Sequence, residues 1–441
     1  NLGYTLLYVT CSRARSNIYK EQTMRLSKQQ ISAVTMSTIA FMVCFAVWMM
    51  FAVIGIPIKK QLNLNETEFG LLIAMPVLTG SLIRLPLGMW TDKFGGRIIF
   101  FILMLVSVIP IYLISYATQY WHFLVIGLFV GLVGGSFSVG IAYVARWFPK
   151  SQQGFAMGVF GAGNSGAALN KFVAPLILVA FGWRMVPQVY ALTMLVIALF
   201  FWFLTSSDPT HKLSYKITVK EQLSVLKDVR VWRYCQYYSI VFGGYVGLSL
   251  WLTKYYVSEY GFDIKTAALL AAAFSLPGGM LRAAGGYLSD LFGAHTITWW
   301  VMWVSLLSLF LLSYPQTQFT ISTVNGPYSF HIGLNPLCFT LLLFVVGIAF
   351  AIGKASVFKY IADDYPNNIG VVSGVVGLIG GLGGFILPIA FGVLVDLSGV
   401  RSSAFMLLFG VVWVSLMWMY FSEVRPYQLA KRNFNKLSKG S

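Results

Sequence analysis

RLPLGMWTDKFGGR, residues 84–97, and RAAGGYLSDLFG, residues 282–293, are two copies of one pattern. Arg84, Gly88, Asp92, Phe94 and Gly95 recur as Arg282, Gly286, Asp290, Phe292 and Gly293, each pair 198 residues apart. Self-similarity at a fixed offset marks a repeat architecture. A second match joins Phe148, Pro149, Gly154, Gly158 and Gly161 to Tyr365, Pro366, Gly370, Gly374 and Gly377. Both segments run on to a proline, Pro175 and Pro388, and then to AFG at 180–182 and 390–392. The chain reads as two related halves joined by the polar stretch 206–231.

The chain has 441 residues, 58% hydrophobic and 10% charged, where a soluble domain carries about 25% charged residues. Apolar runs of the roughly 20 residues that cross a bilayer as a helix recur throughout. Twelve spans are read: 34–58, 69–91, 98–117, 121–148, 154–182, 185–205, 232–258, 264–292, 297–316, 337–362, 368–397 and 401–421. They are too long and too uniformly apolar for the alternating strands of an outer-membrane barrel. The expected fold is an all-α integral membrane protein, twelve transmembrane helices in two pseudo-symmetric six-helix halves, 34–205 and 232–421. A cytoplasmic segment 1–33, a cytoplasmic linker 206–231 and a tail 422–441 complete it. Met24 reads as a natural start; the alternative is that 1–23 is an ordinary cytoplasmic tail.

The net charge is +17, which in a soluble protein would suggest nucleic acid. Its placement excludes that reading. Arg13, Arg15, Lys20, Arg25 and Lys28 precede the first span, Lys212, Lys216, Lys220, Lys227 and Arg230 fill the linker with Arg233 just past its end, and Arg425, Lys431, Arg432, Lys436 and Lys439 fill the tail. The other side holds six: Lys59, Lys60, Arg184, Lys254, Lys265 and Arg401. That asymmetry predicts both termini in the cytoplasm. Cys11, Cys44, Cys235 and Cys338 are scattered and the four histidines fall at helix ends or in loops, so neither a metal site nor a cofactor is expected.

Arg84 and Arg282 stand eight residues before Asp92 and Asp290, about 12 Å inside the helix end at 1.5 Å per residue. An intramembrane charge costs several kcal/mol and marks a functional site with a partner. Every Asp and Glu lies at a helix end, in a loop or in the tail. The missing counter-charge is therefore expected to be an anionic substrate. A guanidinium is planar, permanently charged and able to donate two parallel hydrogen bonds.

Span five carries Gly158, Gly161, Gly163, Asn164 and Gly166; span eleven carries Gly374, Gly377, Gly380, Gly381, Gly383 and Gly384. Such spacing strips side chains from one helix stripe and lets backbones approach closely. Plain helix packing is one reading. The other is that two bare helices slide during rocking and offer polar backbone to a very small ligand.

Two six-helix repeats with a charged linker resemble major facilitator transporters, whose substrate sits at the repeat interface near mid-membrane. The pattern Gly88…Asp92…Gly95…Arg97 resembles that superfamily's loop between helices two and three, where Asp92 and Arg97 would form an inter-helix charge network. Gly161–Ala174 and Gly374–Phe385 resemble the paired signatures of the nitrate/nitrite porter family, over roughly residues 31–421. The resemblance implies a nitrate or nitrite pocket clamped by Arg84 and Arg282. Asn164 would be an amide donor, with Phe137, Tyr238 and Phe242 as aromatic walls for a flat anion. A bacterial cytoplasmic membrane, lipid as surroundings and a monomer are expected with it.

Pro149 matches Pro366, so Lys354 falls opposite Phe137, each twelve residues before its proline. Lys171 lies seven residues after Asn164, on nearly the same face. A buried lysine can exchange a proton near neutral pH where arginine cannot. Lys354 is thus expected to be a protonation site or third anion contact, with Lys171 a weaker candidate; fixed positive charge is the alternative. Lys254 and Lys359, nearer helix ends, are expected to snorkel. Anion uptake against an inside-negative potential costs about 2.3 kcal/mol per charge per 100 mV. It needs more than one proton per nitrate, or exchange for nitrite. An organic-phosphate exchanger would carry its arginines in spans one and seven, a membrane enzyme would need a nucleophile or metal cluster, and a sensor would need a long output domain.

Overall fold

The computed structural model describes residues 26–207, 224–365 and 369–425. The readings for residues 1–25, for Lys212, Lys216, Lys220 and most of the linker, and for the tail beyond Arg425 lie outside the described residues. Among the described residues ten helices are long and apolar enough to cross a membrane. The pair Ile264–Met280 and Arg282–Phe292, bent by 49°, makes an eleventh. The twelfth helical run is Val229–Tyr260, α-helical at both ends around a π turn at Ser239–Gly244. It is less apolar because Gln236, Tyr237, Tyr238, Tyr245 and several Gly and Ser residues lie along its middle, with Arg230, Arg233, Lys254 and Glu259 towards its ends. The all-α membrane architecture is thus present. Its outer surface carries large apolar side chains such as Phe203, Phe181 and Leu397, all more than 70% exposed, as a lipid-facing surface requires.

Helix starts follow local chemistry. Ser27 with Gln30 and Asn65 with Glu68 form capping boxes, and Asp263 and Asn335 cap the eighth and tenth spans. Gly95 and Gly293, equivalent in the repeat, end the second and eighth spans at φ of 89° and 84°, a region that favours glycine.

Two features differ from the sequence reading. The second and eighth spans are not continuous helices: each breaks one residue before its arginine, at Ile83 and Leu281. Pro86 has no N–H to return to the carbonyl of Leu82, and Pro277 with Gly278 and Gly279 weakens the turn before Leu281. A hairpin, Thr317–Thr323 with Gly326–Ile332, occupies the connection between spans nine and ten. It reads as a strand pair only in retrospect. Phe319 stacks on Phe330 across the pair at 5.5 Å, and Gly326 at φ 110° follows a two-residue turn.

The halves are locked together at the end that carries Glu66. Asp396 of span eleven accepts hydrogen bonds from the backbone N–H of Glu66 (3.1 Å) and Thr67 (2.8 Å) and from the Thr67 hydroxyl (2.6 Å). It caps the start of span two from the opposite half, satisfying donors that a helix N-terminus leaves orphaned. Glu66 pairs with Lys59 at 2.7 Å and with Lys254 of the other half. Lys254 does not snorkel: it is buried and its ammonium is held by Glu66. At the opposite end three ion pairs join residues of the same half. Arg146 reaches Asp92 at 2.5 Å, and Lys359 reaches Asp363 at 2.9 Å and Asp290 at 3.5 Å. Losing a cap costs about 1 kcal/mol, roughly fivefold in a two-state ratio. Asp396→Ala is accordingly expected to increase thiol labelling of a Thr253→Cys reporter, buried beside this seal, by about that factor. Unchanged labelling would show that the cap does not hold this end shut.

Candidate functional site: paired arginines at helix breaks

Each break delivers its arginine to one aromatic ring. The guanidinium carbon of Arg84 lies 5.8 Å from the centre of the Phe137 ring, and that of Arg282 lies 5.2 Å from it. Arg84 is 5% exposed and donates through Nη1 to the carbonyl of Gly377, 3.0 Å away in the other half. Its Nε has no partner, nor has Nη1 of Arg282. Among the described residues, no carboxylate lies within salt-bridge distance of either arginine. Two like charges share a half-buried ring with donors to spare, an arrangement that favours an anion between them.

The expected aromatics are adjacent. Phe242, in the π turn, lies 5.0 Å from the Arg84 guanidinium and stacks on Tyr238 at 5.2 Å with an interplanar angle of 11°. Two more rings complete the wall. Phe358 lies 5.2 Å from Arg282 and edge-on to Tyr238 at 4.9 Å, and Trp48 lies 5.7 Å from Arg84. Phe358 was legible as one helical turn beyond Lys354. Trp48 was not, because its indole is housed by Gly80 and Gly134, where an added Cβ would lie within 2.6 and 2.7 Å of it.

Asn164 is buried in a short 3-10 turn, Ala162–Ser165. Its amide nitrogen donates to Gly161 at 2.8 Å and its side-chain oxygen has no partner. One of its N–H bonds is therefore already spent on its own helix. Lys354 is 0% exposed; its ammonium donates to the Gly278 carbonyl at 2.5 Å and sits 3.6 Å over the Tyr245 ring. Lys171 reaches across the halves to the Ala271 carbonyl at 3.4 Å and to the Ser275 hydroxyl.

The glycine stripes divide by neighbour. Gly158 and Gly161 face Ala283 and Arg282 of the other half, whereas Gly163 and Gly166 pack on span one. Gly374 and Gly381 face Leu85 and Ser81 across the seam, while Gly380 and Gly383 pack on Tyr238 and Ser239 of span seven. Gly384 touches both Val246 and Val77, and Gly377 faces open space with its carbonyl on Arg84. The Asp92–Arg97 network takes another form. Asp92 is held by Arg146, while Arg97 lies 4.2 Å over Trp202 and donates to its carbonyl at 2.6 Å.

The model of the Major Facilitator Superfamily matches residues 36–388. A Thermus thermophilus protein named a probable nitrate/nitrite antiporter NarK1 is 40% identical over 408 residues, 89% of this chain and 91% of that one. The Bacillus subtilis nitrite extrusion protein is 30% identical over 90% of this chain and 96% of its own. The Staphylococcus carnosus probable nitrate transporter NarT is 30% identical over 87% of this chain and 94% of its own. Among solved structures, the nucleoside transporter NupG superposes with a TM-score of 0.69 at 13% identity, covering 88% of this chain and 98% of that one. A bacterial Spinster homologue in an inward-facing, occupied conformation superposes at 0.65 with 16% identity, over 93% and 98%. These two share the fold. By the family model and by its relatives, the chain belongs to the nitrate/nitrite porters of the Major Facilitator Superfamily.

Proposed function

We propose that the chain is a secondary active transporter, not an enzyme, that carries nitrate, and nitrite with it, across the bacterial cytoplasmic membrane by alternating access. The observation that supports this most is the Phe137 ring shared by the buried Arg84 and the half-buried Arg282, each with an unpartnered guanidinium nitrogen out of contact with solvent. A flat, monovalent oxyanion can lie on aromatic faces and take parallel hydrogen bonds from a planar fork. Tyr238, Phe242 and Asn164 bound the pocket in this reading, and the anion closes the two arginines towards each other. With both termini cytoplasmic, the Glu66 end is the outer one. The halves 34–205 and 232–421 rock around the site, the glycine stripes letting spans five and eleven pass close to their neighbours, and one monomer suffices.

Uptake is proton-linked in this proposal, with Lys354 as the protonation site. Its ammonium is held by the Gly278 carbonyl and the Tyr245 ring, and among the described residues no carboxylate lies within salt-bridge distance of it. Lys171 is the second candidate. Purified protein in liposomes is expected to take up nitrate faster under an inward proton gradient and to carry net current. A charged hydrogen bond contributes about 1.5–3 kcal/mol, at least tenfold in an equilibrium. Lys354→Ala is therefore expected to slow proton-driven uptake about tenfold or more and to flatten its pH dependence. Wild-type pH dependence in that variant would remove Lys354 from the coupling. One-for-one exchange of nitrate for nitrite is the second reading, favoured by the name of the Thermus relative. Uptake that requires internal nitrite and ignores the proton gradient would establish exchange instead.

A further inference from the structure

Tyr245 belongs to none of the motifs above, yet it touches three of the site's supports. It opens the α-helical end of span seven, directly after the π turn. Its ring lies under the Lys354 ammonium at 3.6 Å. Its hydroxyl lies 2.9 Å from the Ser275 carbonyl in its own half and 3.2 Å from the Asn164 carbonyl in the other half. Gly278, whose carbonyl holds Lys354, is pressed against the same ring: an added Cβ there would stand 2.4 Å from it. The side chain is fully buried.

A phenol has one hydrogen to donate. Two carbonyls compete for it, one on each side of the seam. When the halves separate at this depth the hydroxyl keeps Ser275 and leaves no buried donor orphaned. When they close it can serve Asn164. Leaving the hydroxyl unpartnered at either extreme would penalise that state. The ring, meanwhile, stabilises a positive charge on Lys354 in a site without water-facing surface. The charged and titratable groups around this seam are Lys354 of span ten, Arg282 of span eight and Lys171 of span five, which reaches the hydroxyl of Ser275. Ser275 also lies 3.2 Å from Ser249.

We propose that Tyr245 is a positioning residue that ties the charge on Lys354 to the movement of the halves. Its hydroxyl is a two-position switch between Ser275 and Asn164, and its face is the seat of the ammonium. The proposal rests on the roles given above to Asn164 and Lys354. Its first test is independent of them, because nitrate counterflow needs no proton coupling.

The test is nitrate counterflow in liposomes with Y245F, which removes the hydroxyl and keeps the ring. The maximal rate is expected to fall about fivefold, the worth of one net hydrogen bond, with KM within about twofold of wild type. A merely structural hydroxyl would lower yield and thermal stability without splitting rate from KM. Wild-type kinetics in Y245F, or a rise in KM at unchanged maximal rate, would overturn the switch. In Y245L the seat is lost, and the pH midpoint of proton-driven uptake is expected to move about one unit lower, the scale of a desolvated cation–π contact. An unmoved midpoint in Y245L overturns the seat. If Y245L does not accumulate, the rate–KM split in Y245F alone decides the proposal. If Y245F shows its split while Lys354→Ala keeps wild-type pH dependence, the switch stands and the coupling role of Lys354 falls.

Discussion

Arg84→Lys and Arg282→Lys are each expected to reduce nitrate transport by about a hundredfold or more, although both keep the charge. Lysine is a compact, strongly hydrated point charge, whereas arginine offers a rigid planar fork. At Arg84 the change removes the donor to Gly377, 3.0 Å away, and the broad cation facing Phe242 at 5.0 Å and Phe137 at 5.8 Å. At Arg282 it removes the fork between Phe137 and Phe358, both at 5.2 Å. Two charge-assisted hydrogen bonds to the anion, at about 1.5–3 kcal/mol each, exceed a hundredfold in affinity. Counterflow of labelled nitrate in liposomes measures the loss. Rates near wild type in both variants would remove the clamp. Retained phosphate or sulfate transport would point to a different anion.

The second large effect concerns Gly279. It stands two residues before the bend at Leu281, where span eight meets span five of the other half. An added Cβ would lie 2.5 Å from the Ser165 nitrogen and 2.8 Å from the Asn164 carbonyl carbon. Both are backbone atoms, so no flexible side chain can give way. Overpacking of this kind costs about 1–3 kcal/mol, and the halves can escape it by parting here. Gly279→Ala is expected to drive the population away from the state closed at the Glu66 end, by roughly 5–150-fold at those energies. The Thr253→Cys reporter should then label readily while transport falls. Gly286→Ala, on the next segment with no atom within 4 Å of the added Cβ, is the matched control and should transport normally. Equal labelling in the two variants would mean that the seam does not separate at this contact.

Charge and repetition make much of this molecule legible in the sequence alone. Arg84 and Arg282 stand out because lipid tolerates so few charges, and the repeat fixes their symmetry. Phe137, Tyr238 and Phe242 come from resemblance; the structure sets Phe137 and Phe242 against Arg84 and stacks Tyr238 on Phe242. What stayed hidden lies where helices depart from regular geometry. Periodicity assigns faces only along a regular helix, and a π turn at Ser239–Gly244 shifts every later side chain around the axis. Tyr245, just beyond it, could not be oriented from spacing. The breaks at Ile83 and Leu281 were hidden for a similar reason: proline and glycine are common in transmembrane helices and do not by themselves reveal a bend. Lys254 looked like a snorkelling residue because its acidic partner is 188 positions away in sequence, in the other half. The 317–332 hairpin leaves little trace in the sequence because its alternation is short and its strands are exposed on both faces.

That hairpin has a practical use. Its turn residue Val324 is fully exposed, and its strands pair with each other. Exposed loop tips of small registers of backbone bonding tolerate insertion well. A rigid epitope or antibody-binding cassette placed between Val324 and Asn325 would add mass and a recognisable shape to a particle otherwise hidden in detergent. Imaging of both rocking states could then proceed without touching any residue that handles the anion.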